Sequence, residues 1–173
     1  MVSRTDIQET IHATLADILD PELPCSIVDL GLVEGVELDE QCNVEVTLLP
    51  TFTGCPALDM IASDVTSRVQ DIDGVASCSV QWVFQPHWTT DRISEAGRAS
   101  LKAHGVTVPG CGTPAGTSQS TTLRTSAIPC PWCGSRKTRL DSPFGPTRCR
   151  TIQYCEACRN TFEDMKKLDH EPG

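Results

Sequence analysis

Two Cys-x-x-Cys pairs, Cys130/Cys133 and Cys155/Cys158, stand 21 residues apart in the last quarter of the sequence. That interval is long enough for a hairpin to bring the second pair back beside the first, and four thiolates can then surround one ion as a tetrahedron. All-sulfur tetrahedral donors suit zinc, with a rubredoxin-like iron site as the alternative. Gly134, directly after the first pair, lets the backbone turn so that its N–H groups point at sulfur. A fragment of about 40 residues buries little core, so the ion would supply most of its folding free energy. Cys149 lies six residues before Cys155 and could replace a ligand, sit in the core or be a free thiol, a spare structural cysteine being the favoured reading.

A second chemistry sits in Gly54-Cys55-Pro56. Proline favours the first helical position, which makes Cys55 the expected N-cap and aims the open N–H groups of Ala57 and Leu58 at its sulfur. Those donors and the helix dipole would favour a thiolate, the form needed in a nucleophile or a soft-metal ligand. The plainer reading is a small, inert, buried cap. Asp20, Glu22 and Asp29 could meet this thiol across the sheet edge, but each also reads as a turn or cap residue. With no His or Lys nearby in sequence to act as base, a thiol enzyme is disfavoured. His87 reads as a surface residue of a strand-to-helix loop, Trp82 and Trp88 as packing residues, and Cys42 and Cys78 as structural cysteines in strands.

The elements that must hold these groups follow from periodicity. Ile7, Ile11, Leu15 and Ile18 recur at helical intervals until Pro21 stops the pattern. Strands are expected over Leu32 to Leu38, around Val44, Val46 and Leu48, and from Ala76 to Phe84, where apolar residues alternate; Asp39-Glu40-Gln41 suits a hairpin between the first two. Leu58, Ile61, Val65 and Val69 mark a second helix from Pro56 towards Gly74, and Thr89/Thr90 can cap a third that Gly105 closes. The expected class is α+β: a small two-layer α/β sandwich over residues 1–105, a flexible Gly/Pro/Ser/Thr linker over 106–128, and a four-cysteine zinc ribbon over 129–170.

Composition narrows the function. The 173 residues carry a net charge of −9, and only 5% are aromatic. Up to Gly110 there are 17 acidic residues against 5 Lys or Arg, whereas Cys111 to Gly173 holds 9 basic against 6 acidic. The front half is therefore a poor binder of phosphate backbones, and the tail makes only a weak case for nucleic acid. No apolar run approaches the roughly 18 residues of a membrane span, and no secretory signal is visible, so the chain is expected in the cytoplasm with its cysteines reduced.

Several longer motifs carry a resemblance. Asp20-Pro21-Glu22-Leu23-Pro24, Ser26-Ile27-Val28-Asp29-Leu30-Gly31-Leu32-Val33 and Thr53-Gly54-Cys55-Pro56 resemble the SufT-related family of small iron–sulfur assembly domains. Pro86-x-Trp88-Thr89-Thr90-Asp91-x-Ile93-Ser94, continuing through Gly97-Arg98 and Leu101, resembles members found in phenylacetate-degradation gene clusters, as does the cysteine-rich tail. The resemblance implies a compact α/β fold and a non-catalytic accessory role in maturing the multicomponent oxygenase that converts phenylacetyl-CoA to its ring epoxide. It implies Cys55 as the functional thiol, with Asp20, Glu22, Asp29 and Thr53 around it, handling an iron–sulfur cluster or iron transiently. The implied partners are the oxygenase components, notably the reductase with its [2Fe–2S] centre, and the iron–sulfur assembly machinery. Alternatives left open are a structural oxygenase subunit, a homodimer, and a zinc-ribbon regulator that binds nucleic acid.

Overall fold

The computed structural model describes residues 3–52, 54–110 and 127–166. They fall into two units, one of Met1–Trp88 with Arg92–Gly97 and one of Thr89–Asp91 with Arg98–Gly173.

In the first unit, α1 (Arg4–Ala16) starts at a capping box: Ser3 Oγ accepts the Thr5 N–H, and the Asp6 carboxylate accepts the Ser3 N–H. Its buried stripe is Ile7, Ile11 and Leu15, while Ile18, fully buried, lies beyond the helix end. Strands β1 (Val33–Leu38) and β2 (Asn43–Leu48) form the expected antiparallel hairpin. Asp39 closes its turn by accepting the N–H groups of Gln41 and Asn43 and the Asn43 side-chain amide, and these bonds, the amide first, hold its carboxyl below the usual range. Cys42 belongs to this turn with φ +63°, not to a strand as its neighbours suggested.

Helix α2 (Leu58–Gln70) crosses back to β3 (Ser77–Trp82), which pairs parallel to β2, so the sheet order is β1-β2-β3. Ile61, Val65 and Val69 of α2 face inward with Val44, Val46 and Leu48 of β2. Helices α1 and α2 pack together and α2 lies against β3, which gives the two-layer α/β arrangement. The expected third helix is broken into a short 3-10 turn (Thr90–Arg92) and α3 (Glu95–Ala103). The break comes at Ser94, whose N–H donates to the Asp29 carbonyl while its hydroxyl accepts the Gly97 N–H and caps the new helix.

The second unit carries the sheet β4-β7-β6-β5, formed by β4 (Val106–Thr107), β5 (Thr138–Ser142), β6 (Arg150–Cys155) and β7 (Thr161–Met165). β5, β6 and β7 pair antiparallel and β4 adds parallel to β7. The structure thus differs from the linker reading at its first residues: Val106 and Thr107 pair with Glu163 and Asp164, and the Gly105 carbonyl accepts the Glu163 N–H. Most of the expected linker, 111–126, lies outside the described residues. Cys130, Cys155 of β6 and Phe162 of β7 form a small buried cluster, flanked by Ile128 and Cys158. Among the described residues no helix is long and apolar enough to cross a membrane.

Candidate functional site

Cys55 lies in the turn that leads into α2, half-buried. It is not the N-cap. Its carbonyl accepts the Leu58 N–H at 3.4 Å, closing a separate turn, and the helical ladder begins one step later with the Ile61 N–H on the Ala57 carbonyl. Ala57 is the N-cap, with no side-chain bond to the helix. The expectation that Cys55 itself caps the helix is corrected accordingly.

One polar neighbour the fold gives this sulfur is a carboxylate: Cys55 Sγ donates to Glu22 Oε2 at 3.8 Å, across 33 residues of sequence. The loop that presents Glu22 is fastened locally. Asp20 Oδ1 accepts the Glu22 N–H at 2.8 Å, the Asp20 N–H donates to the Cys25 carbonyl at 2.9 Å, and the Ile27 N–H donates to the Ile18 carbonyl. Leu19 and Ser26 face each other across an isolated bridge, so Pro21 to Pro24 form the tip of a closed loop.

Asp29 is occupied elsewhere. Its carboxylate accepts the Ser26 hydroxyl at 3.2 Å and the Ser94 hydroxyl at 2.5 Å, and its N–H donates to Ser26 Oγ. Asp29 therefore ties the Ser26–Gly31 turn to the start of α3. Trp88 Nε1–H on the Leu30 carbonyl and Arg92 Nε–H on the Gly31 carbonyl, both at 2.9 Å, reinforce the tie. At Gly31 (φ +68°) a Cβ would come within 2.6 Å of Arg92, so this turn requires glycine. Ser94 was visible in sequence only as part of a motif, and Arg92 only as an unspecified position within it; their partners lie about 60 residues upstream.

Thr53 lies outside the described residues. Of the carboxylates expected around Cys55, Glu22 is brought to the sulfur, Asp20 accepts the Glu22 N–H, and Asp29 accepts from Ser26 and Ser94. Cys25, to which the sequence assigned no role, is buried beside Asp20 and Asp29; burial first and then those two charges push its thiol up to about 11.

The four ribbon cysteines converge as expected. The sulfurs of Cys130, Cys133, Cys155 and Cys158 lie within 4.8 Å of one another, with Cys130–Cys158 at 3.7 Å and Cys133–Cys155 at 3.6 Å. A tetrahedron with zinc–sulfur bonds of about 2.3 Å has edges of roughly 3.8 Å, so this donor set fits a zinc ion. Each pair sits in a tight knuckle: the Gly134 N–H donates to the Cys130 carbonyl and the Arg159 N–H to the Cys155 carbonyl. Both following residues are left-handed, Gly134 at φ +73° and Arg159 at φ +63°. The Cys158 and Ala157 N–H groups point at the Cys155 sulfur and favour its thiolate, the form in which cysteine binds a metal. Cys149 stays out of the set, buried, with its sulfur 3.1 Å from Thr147 Oγ1.

Known proteins resemble both units. Residues 114–166 match the family described as the PaaD zinc beta ribbon domain, and residues 8–82 match the family described as iron-sulfur cluster assembly protein. A protein of Escherichia coli, provisionally named as a subunit of 1,2-phenylacetyl-CoA epoxidase, is 34% identical over 158 residues, which is 90% of each chain. An Fe-S protein maturation auxiliary factor of Bacillus subtilis is 35% identical over 95 residues, covering 55% of this chain and 93% of its own. The crystal structure of a domain of unknown function from Bacillus anthracis superimposes with a TM-score of 0.53 at 34% identity, over 56% of this chain and 92% of that one.

Proposed function

The chain belongs to the family of iron–sulfur cluster assembly proteins that carry a PaaD-type zinc ribbon, and from that premise we propose that it matures the metal centres of a phenylacetyl-CoA epoxidase. The observation that carries this reading is likeness to the epoxidase-named relative through both units, joined to one thiol held against a carboxylate in the unit shared with the maturation factors. Cys55 is the thiol that meets the cargo, an iron–sulfur cluster or iron. A thiol that binds iron must release its proton, and Glu22 Oε2 is placed to accept it. The four ribbon cysteines are a resident structural zinc site, separate from the cargo. The clients are the epoxidase components, the [2Fe–2S] reductase foremost, and the chain itself carries out no substrate chemistry.

The test is reconstitution. Epoxidase components assembled with this protein should hold more iron and turn over faster than those assembled without it. The Cys55→Ala variant should fold and bind zinc normally yet fail to raise either quantity. Full activity and full iron content with Cys55→Ala would sink the role given to that thiol. A second reading has its own observation: the Escherichia coli relative is named as a subunit. Fixed stoichiometric co-purification with the active oxygenase would favour it, whereas action at substoichiometric amounts would favour maturation.

A further inference from the structure

The hairpin between β5 and β6 ends in Pro143-Phe144-Gly145-Pro146, and Phe144 is 71% exposed. A lone exposed aromatic is ordinary; this one is held out on a fastened support. The Ser142 hydroxyl donates to the Phe144 carbonyl at 2.8 Å and accepts the Phe144 N–H at 3.2 Å. On the other side the Gly145 N–H donates to the Arg150 carbonyl at 2.9 Å, and the Arg150 N–H donates to the Thr147 carbonyl. Two prolines fix φ on either side of the Phe-Gly pair. The ring is thus presented in one backbone conformation, which reduces the ordering entropy that docking would cost.

Asp141 and Glu163 on these strands are taken up by arginines, and the charges left beside the ring are basic. Lys166 Nζ lies 5.0 Å from the centroid of the Phe144 ring, and Arg148, exposed, belongs to the same hairpin. The other arginines of these strands have carboxylate partners: Arg150 meets Glu163 at 2.6 Å and Arg139 meets Asp141 at 3.1 Å. A rigid aromatic flanked by cations matches an apolar pocket with carboxylates at its rim. The same ring and cations could stack on single-stranded nucleic acid, but Cys111 to Gly173 holds only 9 basic residues against 6 acidic, a small excess for following a phosphate backbone.

We propose that the Pro143–Pro146 tip is a docking finger, its Phe144 ring entering an acid-rimmed apolar pocket on a folded protein partner. This rests on the function proposed above, under which the partner is an epoxidase component. The experiment measures the affinity of the zinc-loaded full chain for each purified component at low and high salt. The variants compared are wild type, Phe144→Ala, Lys166→Glu and Arg148→Glu, each checked for zinc content and thermal unfolding.

Wild type should bind one component, and more weakly at high salt. Phe144→Ala should lose at least about thirtyfold in affinity with zinc content unchanged. Each charge reversal should weaken binding and flatten its salt dependence. Binding by Phe144→Ala within twofold of wild type overturns the finger while leaving the maturation role standing. Phe144→Ala that loses affinity for a single-stranded oligonucleotide but not for the component overturns it in favour of nucleic acid. Wild type that binds no component sinks the maturation reading, and this assignment falls with it.

Discussion

Cys55 and Cys25 stand in the same unit with opposite surroundings. The first is half-buried at the start of a helix with a carboxylate as its partner; the second is almost wholly buried, and burial with Asp29 and Asp20 pushes its thiol up to about 11. Alkylation of the folded protein near pH 8 should therefore modify Cys55 and spare Cys25, as peptide mapping by mass spectrometry would record; equal labelling would contradict the difference in burial. The raised value also has a sign in stability. Below about 9, where an unfolded thiol keeps its proton, both states are protonated and stability is unaffected by this group. Between about 9 and about 11 the unfolded chain loses the proton that the folded chain retains, so stability falls as pH rises. Cys25→Ala, compared with wild type in denaturant titrations across that window, should show a shallower decline.

At the scale of elements, the left-handed positions give the sharpest expectations. Arg159 occupies in the second knuckle the conformation that Gly134 occupies in the first, and a residue with a Cβ is strained there by about 1 kcal/mol. Arg159→Gly should therefore raise the stability of the ribbon by up to about that amount, measured as a higher unfolding midpoint of the zinc-loaded protein. Gly105 runs the opposite way. Its φ is +78°, and a Cβ would lie 2.3 Å from the Trp132 ring, whose Nε1–H is fixed on the Thr161 carbonyl. Gly105→Ala should cost about 2 kcal/mol or more, since the backbone is strained and the indole must move. An unchanged midpoint would show that the ring yields freely.

For the whole molecule, the two units differ in what holds them together. The first has a continuous aliphatic core through α1, α2 and the three-stranded sheet, including Ile11, Leu15, Val44, Val46, Leu48 and Val65, all at most 1% exposed. In the second, two of the four metal-binding cysteines themselves form a buried cluster with Phe162. Removing zinc with a chelator should consequently unfold the ribbon while leaving the first unit's unfolding transition in place, with about one zinc per chain released. Circular dichroism followed during chelation and metal analysis of the released ion would read both. Loss of both units together, or neither, would contradict this division of stability. Replacing Cys130 or Cys158 should reproduce the effect of the chelator.

Much of this was legible in the residues because it depends on local pattern. Helical and alternating periodicities located α1, α2 and the first three strands, since burial of one face demands a repeat of 3.6 or 2 residues wherever the element sits. The zinc site was legible from two pairs and an interval, because tetrahedral thiolate geometry constrains spacing so tightly. The meeting of Glu22 with Cys55, the use of Asp29 to hold Ser26 and Ser94, and the pairing of Val106–Thr107 with β7 were decided only in three dimensions. Each joins residues 33 or more apart, or gives a polar group one partner among several its sequence neighbours would equally permit. The N-cap expectation at Cys55 failed for the same reason. Proline permits a helix to begin at that point, but the turn that closes from Leu58 onto the Cys55 carbonyl takes the first residues out of the ladder, a choice made by the packing of the loop rather than by its composition.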